Sequence, residues 1–121
     1  MAISVLVGFG AASTSQDISR TYVKSKLASV SDDSQISING APAQNPKEVL
    51  SALKTLDRLP AHHSNPMKKI KIEISSQGDS LVLSLVRDSG DPREYWVFYP
   101  RYLVTANNEI GRIKTPLFDA Y

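Results

Sequence analysis

The stretch from Lys68 to Pro100 constrains the fold more than any other part of this chain. Its first segment, KKIKIEIS, alternates isoleucine at positions 70, 72 and 74 with charged residues, and SLVLSLV repeats the alternation with leucine. A period of two is typical of a β-strand that has one buried and one exposed face. The aromatic run EYWVFYP follows a charged turn. Three consecutive strands are therefore predicted here, with Gly78 in the first turn.

The clearest helix signal precedes these strands. Asn45 suits an N-cap, Pro46 suits the first helical position, and Glu48 would complete a capping box with Asn45. Apolar residues then recur at steps of three and four until Pro60. This pattern predicts a helix over residues 46–59 that covers the isoleucine face of the sheet.

A second helix is predicted near the N-terminus. Any of residues 13–15 could cap it, and it would run to about Ala28. Its predicted apolar stripe consists of Ile18, Tyr22, Val23 and Leu27.

Shorter signals complete the predicted fold. ISING at 36–40 predicts a brief strand that ends in an Asn-Gly turn, TANNE at 105–109 predicts a turn, and IGRIK predicts a last short strand. Gly111 in that strand would permit a bulge or a close backbone approach. We therefore predict an α+β fold, in which an antiparallel four-stranded β-meander is covered on one face by an α-helix, with an additional N-terminal helix.

The N-terminal segment, residues 1–13, is set apart from a single domain predicted over residues 14–121. Ala2–Ala12 is an uncharged apolar run of 11 residues. As a helix it would cross only about half of the ~30 Å hydrocarbon core of a bilayer. Three interpretations remain open, namely an export signal, the remnant of a membrane anchor, or an apolar strand of the domain. The first two favour a periplasmic or membrane-anchored bacterial protein over a cytoplasmic one.

Composition excludes several classes of function. The chain has no cysteine, which removes disulfides, thiol catalysis and cysteine-ligated zinc. Its net charge of +2 is spread evenly, with six Lys/Arg against five Asp/Glu in residues 1–60 and eight against seven in residues 61–121. A nucleic-acid surface needs clustered positive charge, so no nucleic-acid partner is expected.

No catalytic or cofactor motif is present either. The sequence lacks a glycine-rich phosphate loop and a G-x-S-x-G nucleophile elbow. Its two histidines, His62 and His63, are adjacent in a loop and lack the spacing that metal ligands share. We therefore expect no catalytic residue, no metal and no cofactor. The alternative is a small enzyme or metal-binding protein that uses His62 or His63.

The aromatic run gives the best functional signal. Alternation places Tyr95, Val97 and Tyr99 on one face of the strand, and Trp96 and Phe98 on the other. Both faces are apolar, and Trp, Tyr and Arg are the residues that dominate binding hot spots. The predicted partner-binding residues are Trp96, Phe98, Tyr99, Arg101 and Tyr102.

These observations predict a non-catalytic binding or accessory module that is exported or membrane-tethered and contacts another protein through an aromatic sheet surface. An inhibitor or immunity protein against an enzyme or toxin is the alternative, because a small domain with an aromatic surface and no cofactor motif fits it equally well.

Overall fold

The computed structural model describes residues 14–60 and 63–121. Residues 1–13, Ala61 and His62 lie outside this part of the chain. The three interpretations of the N-terminal segment therefore concern residues that the structure does not describe. Within the described ranges the elements are, in order, α1 (Ser15–Ser29), β1 (Gln35–Ile38), β2 (Ala41–Pro42), α2 (Pro46–Leu53), β3 (Pro66–Ser76), β4 (Asp79–Asp88), β5 (Glu94–Phe98), α3 (Leu103–Asn107) and β6 (Gly111–Lys114).

The strands form one antiparallel sheet in the order β2-β1-β3-β4-β5-β6. The α+β class and the antiparallel sheet with its helices are confirmed, but the sheet has six strands and the predicted four is wrong. Strands β3 to β6 follow one another, and the β1–β2 hairpin adds to the other side of β3. The sequence does not reveal β2 because Ala41–Pro42 is too short to show any periodicity.

Two tight turns lie where the sequence predicts turns, and each of them closes a β-hairpin. Asn39 and Gly40 have φ of 53° and 85°, and Gln77 and Gly78 have φ of 52° and 81°. Two successive positive φ values match the right-handed twist of the flanking strands, which glycine and asparagine accept at little cost. The Asn39 side chain also accepts a hydrogen bond from the Lys71 N–H at 2.8 Å, which ties the first hairpin to β3.

The apolar face of the sheet and the helices α1 and α2 share one hydrophobic core. On the two central strands, the alternating isoleucines and leucines are almost completely buried. Burial of each such side chain contributes about 1.5–3 kcal/mol relative to leaving it exposed. The helices contribute Val23, Leu27, Val49, Leu50 and Leu53 to the same core.

Helix α1 begins at a complete capping box. Thr14 Oγ1 accepts a hydrogen bond from the Asp17 N–H at 3.1 Å, and Asp17 Oδ2 accepts one from the Thr14 N–H at 3.2 Å. Thr14 is thus the cap among the three predicted candidates. The predicted apolar stripe is wrong in part, because the core-facing line is Ser19, Val23 and Leu27, while Ile18 and Tyr22 are exposed.

Helix α2 ends at Leu53, six residues before the predicted end. The chain turns after Leu53, and the residues that follow pair with β6. The Asp57 N–H donates a hydrogen bond to Arg112 O at 3.2 Å, and the Arg112 N–H donates one to Asp57 O at 2.8 Å. A residue bridged to a strand cannot remain in a helix. The Asn45 side chain makes no capping hydrogen bond, so the predicted Asn-Glu box does not form.

Gly111 allows that bridge to form. A Cβ atom at this position would lie 2.8 Å from both Asp57 O and Leu56 Cδ1, so only glycine fits without a shift of its neighbours. This confirms the predicted close backbone approach. The predicted turn at 105–109 is wrong, because Leu103–Asn107 forms the short helix α3.

Candidate functional site

The five predicted partner-binding residues do not share one surface. Trp96 and Phe98 point to the face of the sheet opposite the core and are half-buried. Tyr99 lies on the core side and is buried, and its burial raises the pKa of its hydroxyl. Arg101 and Tyr102 are exposed just before α3. The alternation of faces along β5 is thus as predicted, but it separates the aromatic side chains.

A different surface collects exposed apolar side chains. In the described part of the chain, six large hydrophobic residues are exposed, and five of them lie on α1 or at the start of α3. We name these five the α1–α3 patch. Its members are Ile18, Tyr22, Tyr102, Leu103 and Val104, which are 64%, 47%, 57%, 80% and 46% exposed.

Ring contacts hold the tyrosines of the patch in place. The Tyr99 ring lies 6.0 Å from that of Tyr22 and 5.9 Å from that of Tyr102, between ring centroids. Helix α3 is fixed to the same strand end, because Thr105 Oγ1 donates to Tyr99 O at 2.6 Å and the Tyr99 N–H donates to Thr105 O at 3.1 Å. The buried Tyr99 therefore serves as a support on which the exposed tyrosines rest.

The charges near the patch are mostly balanced, with one exception. Arg20, Lys24 and Lys26 of α1 each have a carboxylate within 4 Å, and those of Arg20 and Lys26 are at 2.6 and 2.5 Å. Among the described residues no carboxylate pairs with Arg101, whose guanidinium lies 5.9 Å from the Tyr102 ring. Arg101 is consequently an exposed cation beside the apolar residues.

A buried charge network lies beside Trp96, on the face of the sheet opposite the hydrophobic core. The Arg112 side chain is 4% exposed and donates to Glu94 at 2.7 Å and to both oxygens of Glu109 at 2.7 and 2.9 Å. Its guanidinium also lies 4.6 Å from the Trp96 ring centroid. The hydrogen bonds to Glu109 and Glu94 raise the pKa of Arg112. Each of the three guanidinium nitrogens thus donates a hydrogen bond within the protein.

Asp88 holds the Trp96 indole through a hydrogen bond with its N–H group. Its carboxylate accepts hydrogen bonds from Trp96 Nε1 at 2.7 Å, from Ser64 Oγ at 2.5 Å, and from the N–H groups of Gly90 and Asp91, each at 2.8 Å. Burial alone would raise the pKa of Asp88, but these hydrogen bonds outweigh it and lower the pKa from 3.8 to about 2. Asp88 therefore stays ionised and holds Trp96 in a fixed position.

The histidine pair is only partly within the described residues. His63 is exposed in the connection before β3, and His62 lies outside the described part. Among residues 14–60 and 63–121, no three His, Asp or Glu side chains are placed to hold a metal ion. The same residues contain no helix of the length and apolar character needed to cross a membrane.

Sequence reasoning missed four members of the patch. Leu103 and Val104 belong to a short helix that the sequence does not predict. Ile18 and Tyr22 occupy the predicted apolar stripe of α1, where core residues are expected. The available signal was the segment Tyr102-Leu103-Val104, which comes shortly after Pro100. A buried helix would carry apolar residues three and four positions after Leu103, but only Ala106 is apolar there. Such a segment lacks the periodicity of a buried helix.

No family model matches this chain, and no curated protein or solved structure was found to be similar to it.

Proposed function

We propose that this protein is a non-catalytic accessory module that works by contact, and that the α1–α3 patch is its contact surface. The observation that carries the proposal is the concentration of exposed large hydrophobic residues, five of six in the described part of the chain, on this one surface. Single exposed apolar residues are ordinary on proteins, whereas a contiguous group of them marks an interaction site.

The make-up of the patch supports this role. Tyrosine and arginine are enriched in binding hot spots, and here Tyr22, Tyr102 and Arg101 lie beside the aliphatic residues. Ring contacts with the buried Tyr99 restrict both tyrosines before any partner arrives. A contact surface that is already ordered loses less side-chain entropy on binding.

The proposal moves the contact surface away from the sheet. Trp96 donates its indole N–H to Asp88 and stacks under Arg112, so its polar group and one ring face are already in use. Phe98 is half-buried on the same side. Of the residues predicted from sequence, the proposal keeps Arg101 and Tyr102 as contact residues and assigns Tyr99 a supporting role.

A photo-crosslinking residue introduced at position 103 of the full chain tests the proposal in cells. The matched control carries the same residue at position 67, because Met67 is 61% exposed but lies outside the patch. We expect position 103 to crosslink to a partner surface, and the additional substitution Tyr22→Ser to reduce that crosslink. Equal labelling at positions 103 and 67 would show that the patch is not the contact surface.

An inhibitor or immunity protein is the second candidate, and the two tyrosines of the patch together with the adjacent Arg101 favour it. In that case the species crosslinked at position 103 would be an enzyme or toxin. Its activity would fall when the purified chain is added, and Leu103→Ser would relieve the inhibition.

A further inference from the structure

We propose that the partner of the α1–α3 patch is a membrane surface that contains anionic lipids. This inference rests on the proposed function, because it names the partner of the same surface. Four observations carry it, which concern the shape of the patch, its residue types, its charge and the sequence that leads into α1.

The patch lies outside five clefts of about 280 to 660 Å³ on the described surface, since none of its residues lines any of them. Leu103 instead stands 80% exposed at the start of a five-residue helix. Protein hot spots usually fill well-packed pockets, whereas a fluid bilayer adapts to a protruding side chain.

The residue types suit the boundary between lipid and water. Leu103, Val104 and Ile18 are fully apolar and can enter the acyl region. Tyr22 and Tyr102 combine an apolar ring with a hydroxyl, and such rings concentrate at the headgroup level of membrane proteins. Tyr22 and Tyr102 approach each other through Tyr99, and Leu103 and Val104 follow Tyr102 directly in the chain.

The charge of the surrounding segments favours anionic lipids. Residues 14–29 and 99–108 carry four Lys/Arg and one Asp, and Asp57 and Asp79 pair with Lys24 and Lys26, so the net charge of this region is +1. Arg101, next to Tyr102 and Leu103, has no carboxylate partner among the described residues, and its exposed guanidinium beside the Tyr102 ring can also contact a lipid phosphate. A basic residue near an anionic membrane surface contributes about 1 kcal/mol to binding.

The sequence before α1 contains a second apolar segment. Ala2–Ala12, outside the described residues, contains no charged residue, and Ser13 and Thr14 separate it in sequence from the helix that carries Ile18 and Tyr22. Stable attachment to a membrane usually takes two weak signals rather than one. The uncharged run and the patch would supply two such signals in one chain.

Sedimentation of the full chain with vesicles tests the inference. One set of vesicles contains phosphatidylcholine with about a quarter phosphatidylglycerol, and the other contains phosphatidylcholine alone. We expect binding to the anionic vesicles that weakens in high salt. Leu103→Ser should weaken it at least about tenfold, which is the effect of one leucine side chain leaving an apolar environment. Arg101→Gln should weaken it about fivefold on anionic vesicles and leave binding to neutral vesicles unchanged.

Met67→Ser is the matched control, because it removes an exposed apolar side chain (61% exposed) outside the patch and should bind as the unaltered chain does. Leu103 is so exposed that its replacement should leave thermal unfolding unchanged, which excludes misfolding as a cause.

Three results would overturn the inference. These are no binding to anionic vesicles, binding that Leu103→Ser does not weaken, and equal binding to neutral vesicles. Crosslinks from position 103 that go to a protein rather than to lipid would also overturn it while leaving the proposed function intact. The absence of any crosslink would remove both.

Discussion

Arg112 and Asp88 are the residues on which the polar face of the sheet depends. Arg112 joins Glu94 of β5 to Glu109 before β6, and Asp88 of β4 holds the Trp96 indole against it. Their side chains are 4% and 0% exposed. Buried charges stabilise a fold only when each keeps its partner, so both positions should be sensitive to substitution.

Replacement of Arg112 by methionine tests this dependence. Arg112→Met would leave Glu94 buried without its 2.7 Å ion pair. We expect the free energy of unfolding to fall by about 3–5 kcal/mol, as measured by chemical denaturation. Arg93→Met is the control, since the ion pair of Arg93 with Asp119 is largely exposed and should contribute little. Similar small losses in both variants would contradict the expectation.

Asp88 should make stability depend on pH. Its pKa is about 2 in the folded protein and 3.8 ordinarily, so the ionised carboxylate stabilises the fold fully above about pH 4. This stabilisation is lost as the pH falls towards 2, because the folded state must then take up a proton at a site arranged for the anion. Asp88→Asn lacks the charge at every pH.

The thermal unfolding midpoints of the parent chain and Asp88→Asn provide the measurement. We expect the variant to unfold at a lower temperature at pH 7, and the difference to shrink between pH 4 and pH 2. A difference that stays constant over this range would show that the charge of Asp88 is not the cause.

At the scale of elements, the two long helices begin in different ways. The N-cap of α1 is a complete box between Thr14 and Asp17, whereas α2 begins at Asn45 without a side-chain cap. Pro46 supplies part of what α2 needs, because it has no N–H to satisfy and its φ is already helical. The sequence signals for the two caps are similar, so only the observed hydrogen bonds separate them.

Alanine at each cap distinguishes the two cases. Thr14→Ala should lower the free energy of unfolding by about 1 kcal/mol because it leaves a helix N–H without a partner. Asn45→Ala should cost less than about 0.5 kcal/mol, as for an exposed residue without a specific contact. Chemical denaturation of both variants checks this, and equal losses would show that Asn45 caps α2 in solution.

At the scale of the whole molecule, the described residues form a sheet with two protected ends and an exposed apolar surface on α1 and α3. Strand β2 is only two residues long and contains Pro42, which has no N–H to offer a further strand. Strand β6 bonds Asp57 on its outer side through the Arg112 backbone. Pairing of strands between molecules is therefore hindered at these two ends of the sheet, whereas the α1–α3 patch, which we propose as the contact surface, stays exposed.

The sequence by itself determined the secondary structure wherever a single local pattern sufficed. Alternation in KKIKIEIS and SLVLSLV specifies the central strands, Gly78 specifies the turn between them, and Asn39-Gly40 specifies the turn after β1, because these signals depend on residues close in the chain. Gly111 likewise indicates a close approach, although not to which segment.

Only the tertiary structure decided what depends on residues far apart in the chain. Asp57 ends α2 early because its backbone meets β6, and two-residue β2 exists only because β1 is there to pair with it. The α1–α3 patch arises in the same way, since Tyr22 and Tyr102 meet through Tyr99 across about eighty residues of sequence. No local pattern in the sequence encodes such a contact, and the candidate site is made of contacts of this kind.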